Sequence, residues 1–255
     1  MTDLPEFTDR LCLVVDIPEH GARAAPEQTD AQGDAQFRLL RIIQFACLRA
    51  RIRRIAGSGL RGIGLRGDGG PGSGIRGGGD AQVLVLPPAV DSARVVPALV
   101  LGLRHALYES NREPGSGGRI RLRAVLVGGN IGRGATGFLG PAVVLAADLA
   151  HTPVFETAFT RPEHEHVDLA LVTSDLLYQD VFRQNYPGLP ADDFRPVPIT
   201  GRETAPPAWY HLPVSRPAPD NRAARVSWSD LSDAVVIPGL LDLPRHPPAR
   251  NSSPL

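Results

Sequence analysis

The chain has 255 residues, 42% of them hydrophobic, with 27 basic and 27 acidic side chains. That length allows one domain with a sizeable core plus extra segments. The balanced charge excludes bulk electrostatic capture by nucleic acid or by a membrane surface. All 27 basic residues are arginine, alongside abundant Ala, Gly, Pro and Val, a pattern of coding bias from a GC-rich genome rather than of chemistry. Cys12 and Cys47 lie in apolar segments, too few for a disulfide framework and without metal-ligand spacing. No secretory signal pattern and no stretch of membrane-span length is read, so a soluble cytoplasmic protein is expected.

In chain order, "LCLVVDI" from Leu11 to Ile17 is a short β-branched run that reads as a buried strand. Residues 18 to 33 read as a loop. From Asp34 to Arg54 the pattern turns helical, with Asp34 as N-cap and Phe37, Leu40, Ile43 and Cys47 near one face. Residues 57 to 79, "GSGLRGIGLRGDGGPGSGIRGGG", hold three near-copies of G-x-G-[LI]-R-G. Each matches a dinucleotide fingerprint by letter, but none follows a strand and opens a helix, so the tract reads as low-complexity insertion. Asp68 in "RGDGG" precedes Pro71 and more glycine instead of a strand.

Val83 to Leu86 is a second strand, stopped by Pro87 and Pro88. Asp91 or Ser92 caps an amphipathic helix carrying Val95, Leu99, Leu103 and Leu107. In "RIRLRAVLVGG", Ile120, Leu122, Ala124 and Leu126 alternate with Arg119, Arg121 and Arg123, which predicts a strand with one wet face. "GFLGPAVVLAADLA" reads as a helix after a glycine turn, "VDLALVTS" as a strand, and Asp175 to Gln184 as a helix capped at Ser174–Asp175. "FRPVPI" and "AWYHLP" read as final edge strands. Tyr178, Trp209 and Tyr210 read as packing aromatics, and His164 and His166 in "RPEHEHVD" as solvated loop residues. Residues 214 to 255 are expected to be a Pro-rich, mostly disordered tail, whose one apolar segment, "AVVIPGLLDL", has the character of a docking sequence.

The element order predicts an α+β, ferredoxin-like (βαββαβ) core over residues 8 to 213, with extra C-terminal strands and a helix. Asp16 ends the first strand and Asp80 opens "GGGDAQVLVLPP". Two carboxylates at one sheet edge repel unless a cation sits between them, and Mg²⁺ with a triphosphate takes such ligands. A backbone carbonyl such as that of Ile17 adds a further oxygen. The plainer reading makes Asp16 a strand end and Asp80 a turn residue.

The order of "LCLVVDIPEHG", "GGGDAQVLVLPP", "RLRAVLVGG", "GFLGPAVVLAADL", "LALVTSDLLYQDVF" and "ITGRETAPPAWYHLP" resembles that of a divergent bacterial class III nucleotidyl cyclase domain. The resemblance implies Mg²⁺ or Mn²⁺ held by Asp16, Ile17 and Asp80, and a nucleoside triphosphate at a dimer interface. It implies an Asn and an Arg four residues apart on one helix, orienting the ribose and stabilising the transition state. Here Val144 and Asp148 occupy those positions. Arg76 falls at a base-selecting position, its counterpart is Gly137, and Arg202 in "GRET" falls where a late Lys contacts the triphosphate. The expectation is a degenerate, non-catalytic cyclase homology module for signalling. The alternatives are a cyclase active as the metal-binding half of a heterodimer with a second cyclase-like chain, or one weakly active as a homodimer. Nucleic acid and membrane are not expected partners.

Overall fold

The computed structural model describes residues 6–18, 28–52, 81–113, 118–134, 137–199 and 206–213. Among the described residues, seven strands form one sheet in the order β2-β1-β3-β5-β7-β6, with β4 pairing the far end of β3. The architecture is mixed α/β around this sheet. The glycine tract and residues 214 to 255 lie outside the described residues, as do Asp80, Arg76 and Arg202.

β1 (Thr8–Asp16) runs antiparallel to β2 (Gln82–Val85) on one side and to β3 (Leu122–Gly134) on the other. Its alternation sorts the core. Leu11, Leu13 and Val15 pack with α1 (Gln28–Arg49) and α2 (Ser92–Arg112), while Cys12 and Val14 belong to a second cluster on the opposite face. β3 repeats the division, with Leu122, Ala124 and Leu126 in the first cluster and Val125 and Val127 in the second. The second cluster is closed by α3 (Pro141–Ala150), which follows the short β4 (Gly137–Leu139), and by Phe155 of α4 (Val154–Thr157).

β5 (Leu169–Thr173) lies parallel to β3 and is buried throughout. α5 (Asp175–Asp180) opens at Ser174, whose hydroxyl accepts the Leu177 N–H at 3.4 Å. A 3₁₀ turn at Phe182–Gln184 replaces the rest of the helix expected there. β7 (Ala208–His211) pairs with both β5 and β6 (Arg195–Val197), so only β6 is an edge strand of the two expected at this end.

Three local readings are corrected. α1 starts at Gln28, so Asp34 lies inside the helix instead of capping it, and the helix stops at Arg49 in a turn where Arg51 takes φ 57°. Phe37 is 46% exposed with Arg41 lying 6.0 Å over its ring, while Leu40, Ile43 and Cys47 are buried as their spacing indicates. The predicted wet face is only partly found: β3 begins at Leu122, Arg119 just ahead of it stays 39% exposed, and all three arginines have partners. Arg119 donates to the buried Asp168, Arg121 donates to the Phe159 carbonyl at 2.8 Å, and Arg123 pairs with Asp16. A central strand with a layer on each face leaves little room for water, so Arg123 in β3 and the two arginines just ahead of it end in partners at the strand mouth.

α2 buries a full face along its length. Asp91 caps it, accepting from the Arg94 N–H at 3.3 Å, and Val95, Leu99, Leu103 and Leu107 are each 2% exposed or less. Its carboxyl end is tied down from two sides. Asn111 exchanges two 2.8 Å hydrogen bonds with the backbone of Ile120, acting as a one-residue strand partner. The buried Arg38 of α1 donates to the Ser110 carbonyl at 2.9 Å and to the Gly118 carbonyl at 2.8 Å.

Candidate functional site

Asp16 is the last residue of β1 and stands directly opposite Arg123, with Val15 paired to Gln82 at the entry of β2. Its side chain is 13% exposed and ion-paired to the Arg123 guanidinium, itself 24% exposed. By alternation both side chains share the face of the sheet that carries Val14, Val125 and α3. Ile17 follows as partly buried chain packed against the first cluster. Asp80 lies two residues upstream of Gln82 in the sequence, outside the described residues. No cluster of three or more metal-ligating side chains occurs among the described residues. The oxygen donors there are the Asp16 carboxylate and the Ile17 carbonyl, of the hard type that Mg²⁺ and Mn²⁺ take.

The second element of the site is the β3–β4 hairpin and the helix that follows it. Gly132, Arg133 and Gly134 pair with Leu139, Phe138 and Gly137. The chain then turns into α3 through Gly140 at φ 131°, where an added Cβ would lie 2.5 Å from the Asn130 carbonyl oxygen. Only glycine fits that turn. Ala142, Ala146 and Leu149 bury one side of α3, whereas Val144 is 51% exposed. Asp148, four residues on from Val144, is half-buried on the same side of the helix.

Around the end of the sheet, Tyr178 stacks on Trp209 at 3.8 Å, and the Trp209 indole N–H donates to Asp175 at 2.8 Å. His211 is 3% exposed and stacked on Phe194 at 4.7 Å. Burial lowers its pKa to about 4, with nearby Arg104 adding to the effect and Asp193 opposing it. His164 lies in a 3₁₀ turn, its Nδ1 3.3 Å from the Thr157 carbonyl oxygen, and His166 is exposed.

The sequence matches no protein-family model and no curated protein. Solved structures do match. The guanylyl cyclase Cya2 superposes with a TM-score of 0.52 at 12% identity, over 85% of this chain and 97% of that one. An adenylate/guanylate cyclase/hydrolase from Silicibacter pomeroyi gives 0.50 at 19% identity, over 82% and 98%. The catalytic core of a rhodopsin-guanylyl cyclase with converted specificity, in complex with ATPαS, gives 0.50 at 14%, over 84% and 100%. The fold is that of nucleotidyl cyclase catalytic domains. Within this cyclase fold the structure brings Asp16 and Ile17 to the end of β1 and sets Val144 and Asp148 together on α3. Sequence reasoning missed Arg123, although an arginine entering an otherwise apolar strand is itself a sign of a partner on the neighbouring strand. Among the described residues no helix is long and apolar enough to cross a membrane.

Proposed function

We propose that this chain is a degenerate nucleotidyl-cyclase homology domain of the divergent bacterial class III type, with a ferredoxin-like core, unable to cyclise nucleotides as a homodimer. β1 flanked by two antiparallel strands fits that core; residues 57 to 79, where its remaining strand is expected, lie outside the described residues. The observation that carries the reading is the pair Val144 and Asp148 on α3, directly after a glycine turn, where the resemblance puts Asn and Arg. Valine offers a ribose hydroxyl no hydrogen bond. A carboxylate about 4 Å from a phosphoryl oxygen is repelled by on the order of 4 kcal/mol at an effective dielectric of 20. Loss of a stabilising arginine costs roughly a thousandfold or more in phosphoryl transfer.

The other half of the site is retained. Asp16, Ile17 and Asp80 would hold Mg²⁺ or Mn²⁺, which supplies charge neutralisation for a nucleoside triphosphate. Arg76 and Arg202 are proposed nucleotide contacts. Arg123 balances the Asp16 charge and presents its guanidinium beside any phosphate held there. The retained carboxylate favours a second reading: metal-binding half of a heterodimer whose partner carries an intact Asn–Arg helix. Either role suits dimerisation in signalling.

The test incubates the purified chain with ATP, GTP, CTP and UTP and Mn²⁺. No cyclic nucleotide is expected from the wild type, and cyclisation is expected from the double variant Val144→Asn/Asp148→Arg. A cyclic product from the wild type that disappears in Asp16→Asn overturns the reading. Copurification of a second cyclase-like chain that restores activity selects the heterodimer.

A further inference from the structure

Carboxylates and guanidiniums meet across the mouth of three neighbouring strands. Asp16 ends β1 as the last register partner of Arg123 on β3, and Asp168, just ahead of β5, receives Arg119. Leu122 donates its N–H to the Asp168 carbonyl at 2.7 Å, which fixes that residue beside β3. The Asp168 side chain is 6% exposed and the Asp16 side chain 13%. Carboxylates this buried need a counter-ion, because an uncompensated buried charge is strongly destabilising. Arg119 and Arg123 supply it. The two pairs differ in their surroundings. Asp168 sits between the buried Val167 and Leu169. Asp16 instead leads into Ile17, where the candidate oxygen donors for a divalent cation are gathered. Only the Arg123 guanidinium therefore competes for a carboxylate with a proposed metal.

A guanidinium and a divalent cation share one carboxylate poorly. The guanidinium N–H takes up a lone pair of the carboxylate oxygen in a charge-assisted hydrogen bond, and its positive charge repels a second cation. Mg²⁺ gives up its water reluctantly and demands near-octahedral oxygen ligands. It gains little from a carboxylate that is already neutralised. The geometry points to Arg123 as an internal counter-ion that closes Asp16 to bare divalent cations, so that a metal enters only as the guanidinium swings out. The inference rests on the proposed reading of Asp16 as a metal ligand and gives that site its regulation. The movement belongs to the side chain. Leu122 and Ala124, on either side of Arg123, are 0% exposed and hold the strand in place, whereas the Arg123 side chain is 24% exposed and has water to swing into. One cation then replaces another, and the buried carboxylate is never left unpaired.

The test measures Mn²⁺ binding to the full chain, without nucleotide, by the electron paramagnetic resonance signal of the free ion. Arg123→Gln is expected to bind Mn²⁺ about tenfold or more tighter than the wild type, and Asp16→Asn/Arg123→Gln to bind as weakly as the wild type again. Equal affinity in the wild type and Arg123→Gln, lost in Asp16→Asn, overturns the gate and leaves Asp16 a metal ligand. Binding as weak in Arg123→Gln as in the double variant overturns the gate together with the metal reading. A second readout keeps the wild-type fold. Mg²⁺ is titrated into the wild type while the Arg123 guanidinium N–H resonances are followed, assigned by their loss in Arg123→Lys. Resonances that are resolved in the absence of Mg²⁺ and collapse as the Asp16 amide shifts support the gate. Arg123 resonances that stay unchanged while the Asp16 amide shifts overturn it.

Discussion

Asp16 and Arg123, 107 positions apart in the chain, are direct cross-strand neighbours and form an ion pair at the mouth of the sheet. Asp16 directly follows the buried run of β1, and Arg123 directly precedes that of β3. The pair therefore closes the second hydrophobic cluster against water and holds the candidate ligand carboxylate in place.

Removing one partner leaves a largely buried charge. Arg123→Gln is expected to cost about 1–3 kcal/mol, more than an exposed pair would. Asp16→Asn/Arg123→Gln should recover part of that loss. Urea titration of the two single variants and the double variant gives the coupling energy; a coupling near zero means the pair is effectively solvated.

His211 predicts acid lability. Its folded pKa of about 4 lies below the unfolded value near 6.5, so the unfolded chain takes up the proton first. Stability is unaffected by this group above pH 6.5 and falls as the pH drops from there to about 4, by up to about 3 kcal/mol. His211→Phe should flatten that part of the stability curve, measured by denaturant midpoint at successive pH values.

The two cysteines predict a reactivity contrast. Burial pushes both thiols up to about 12, and neither is accessible in the fold. A thiol reagent at pH 8 should leave both unmodified in the native protein and label both in denaturant. Rapid native labelling would show that the sheet opens locally around Cys12 or that α1 opens around Cys47.

Gly140→Ala should be among the costliest single-methyl changes in the chain. It forces a side chain into φ 131° and into the Asn130 carbonyl. A loss of roughly 2–4 kcal/mol is expected, seen as a lower melting temperature together with altered resonances in α3.

Asn111→Ala removes both hydrogen bonds to Ile120 and one contact with Arg38. About 2–3 kcal/mol should be lost, because the Ile120 backbone is left unsatisfied in a buried position. Hydrogen exchange at Ile120 should rise before that of Leu126.

What the sequence makes legible follows from how locally each feature is encoded. α2 carries its cap and its apolar stripe within one window, and both are observed where the spacing puts them. The start of α1 is illegible because "QTDAQG" has no apolar periodicity to read. Arg119, Arg121 and Arg123 alternate as a wet face would, but their partners Asp168, Phe159 and Asp16 come from distant parts of the chain, and no window of sequence contains both members of a pair. The site divides in the same way. Asp16 at a strand end and the Val144–Asp148 spacing are local and readable, whereas the Arg123 contact depends on register. Arg76, Asp80 and Arg202 lie outside the described residues.

The double membership of β3 has a mechanical consequence. Because successive residues of this one strand anchor opposite hydrophobic layers, neither layer can be stripped away while the other stays whole. Heating the protein should release both together in a single endotherm, and force applied along β3 should meet the resistance of the whole body rather than of one half.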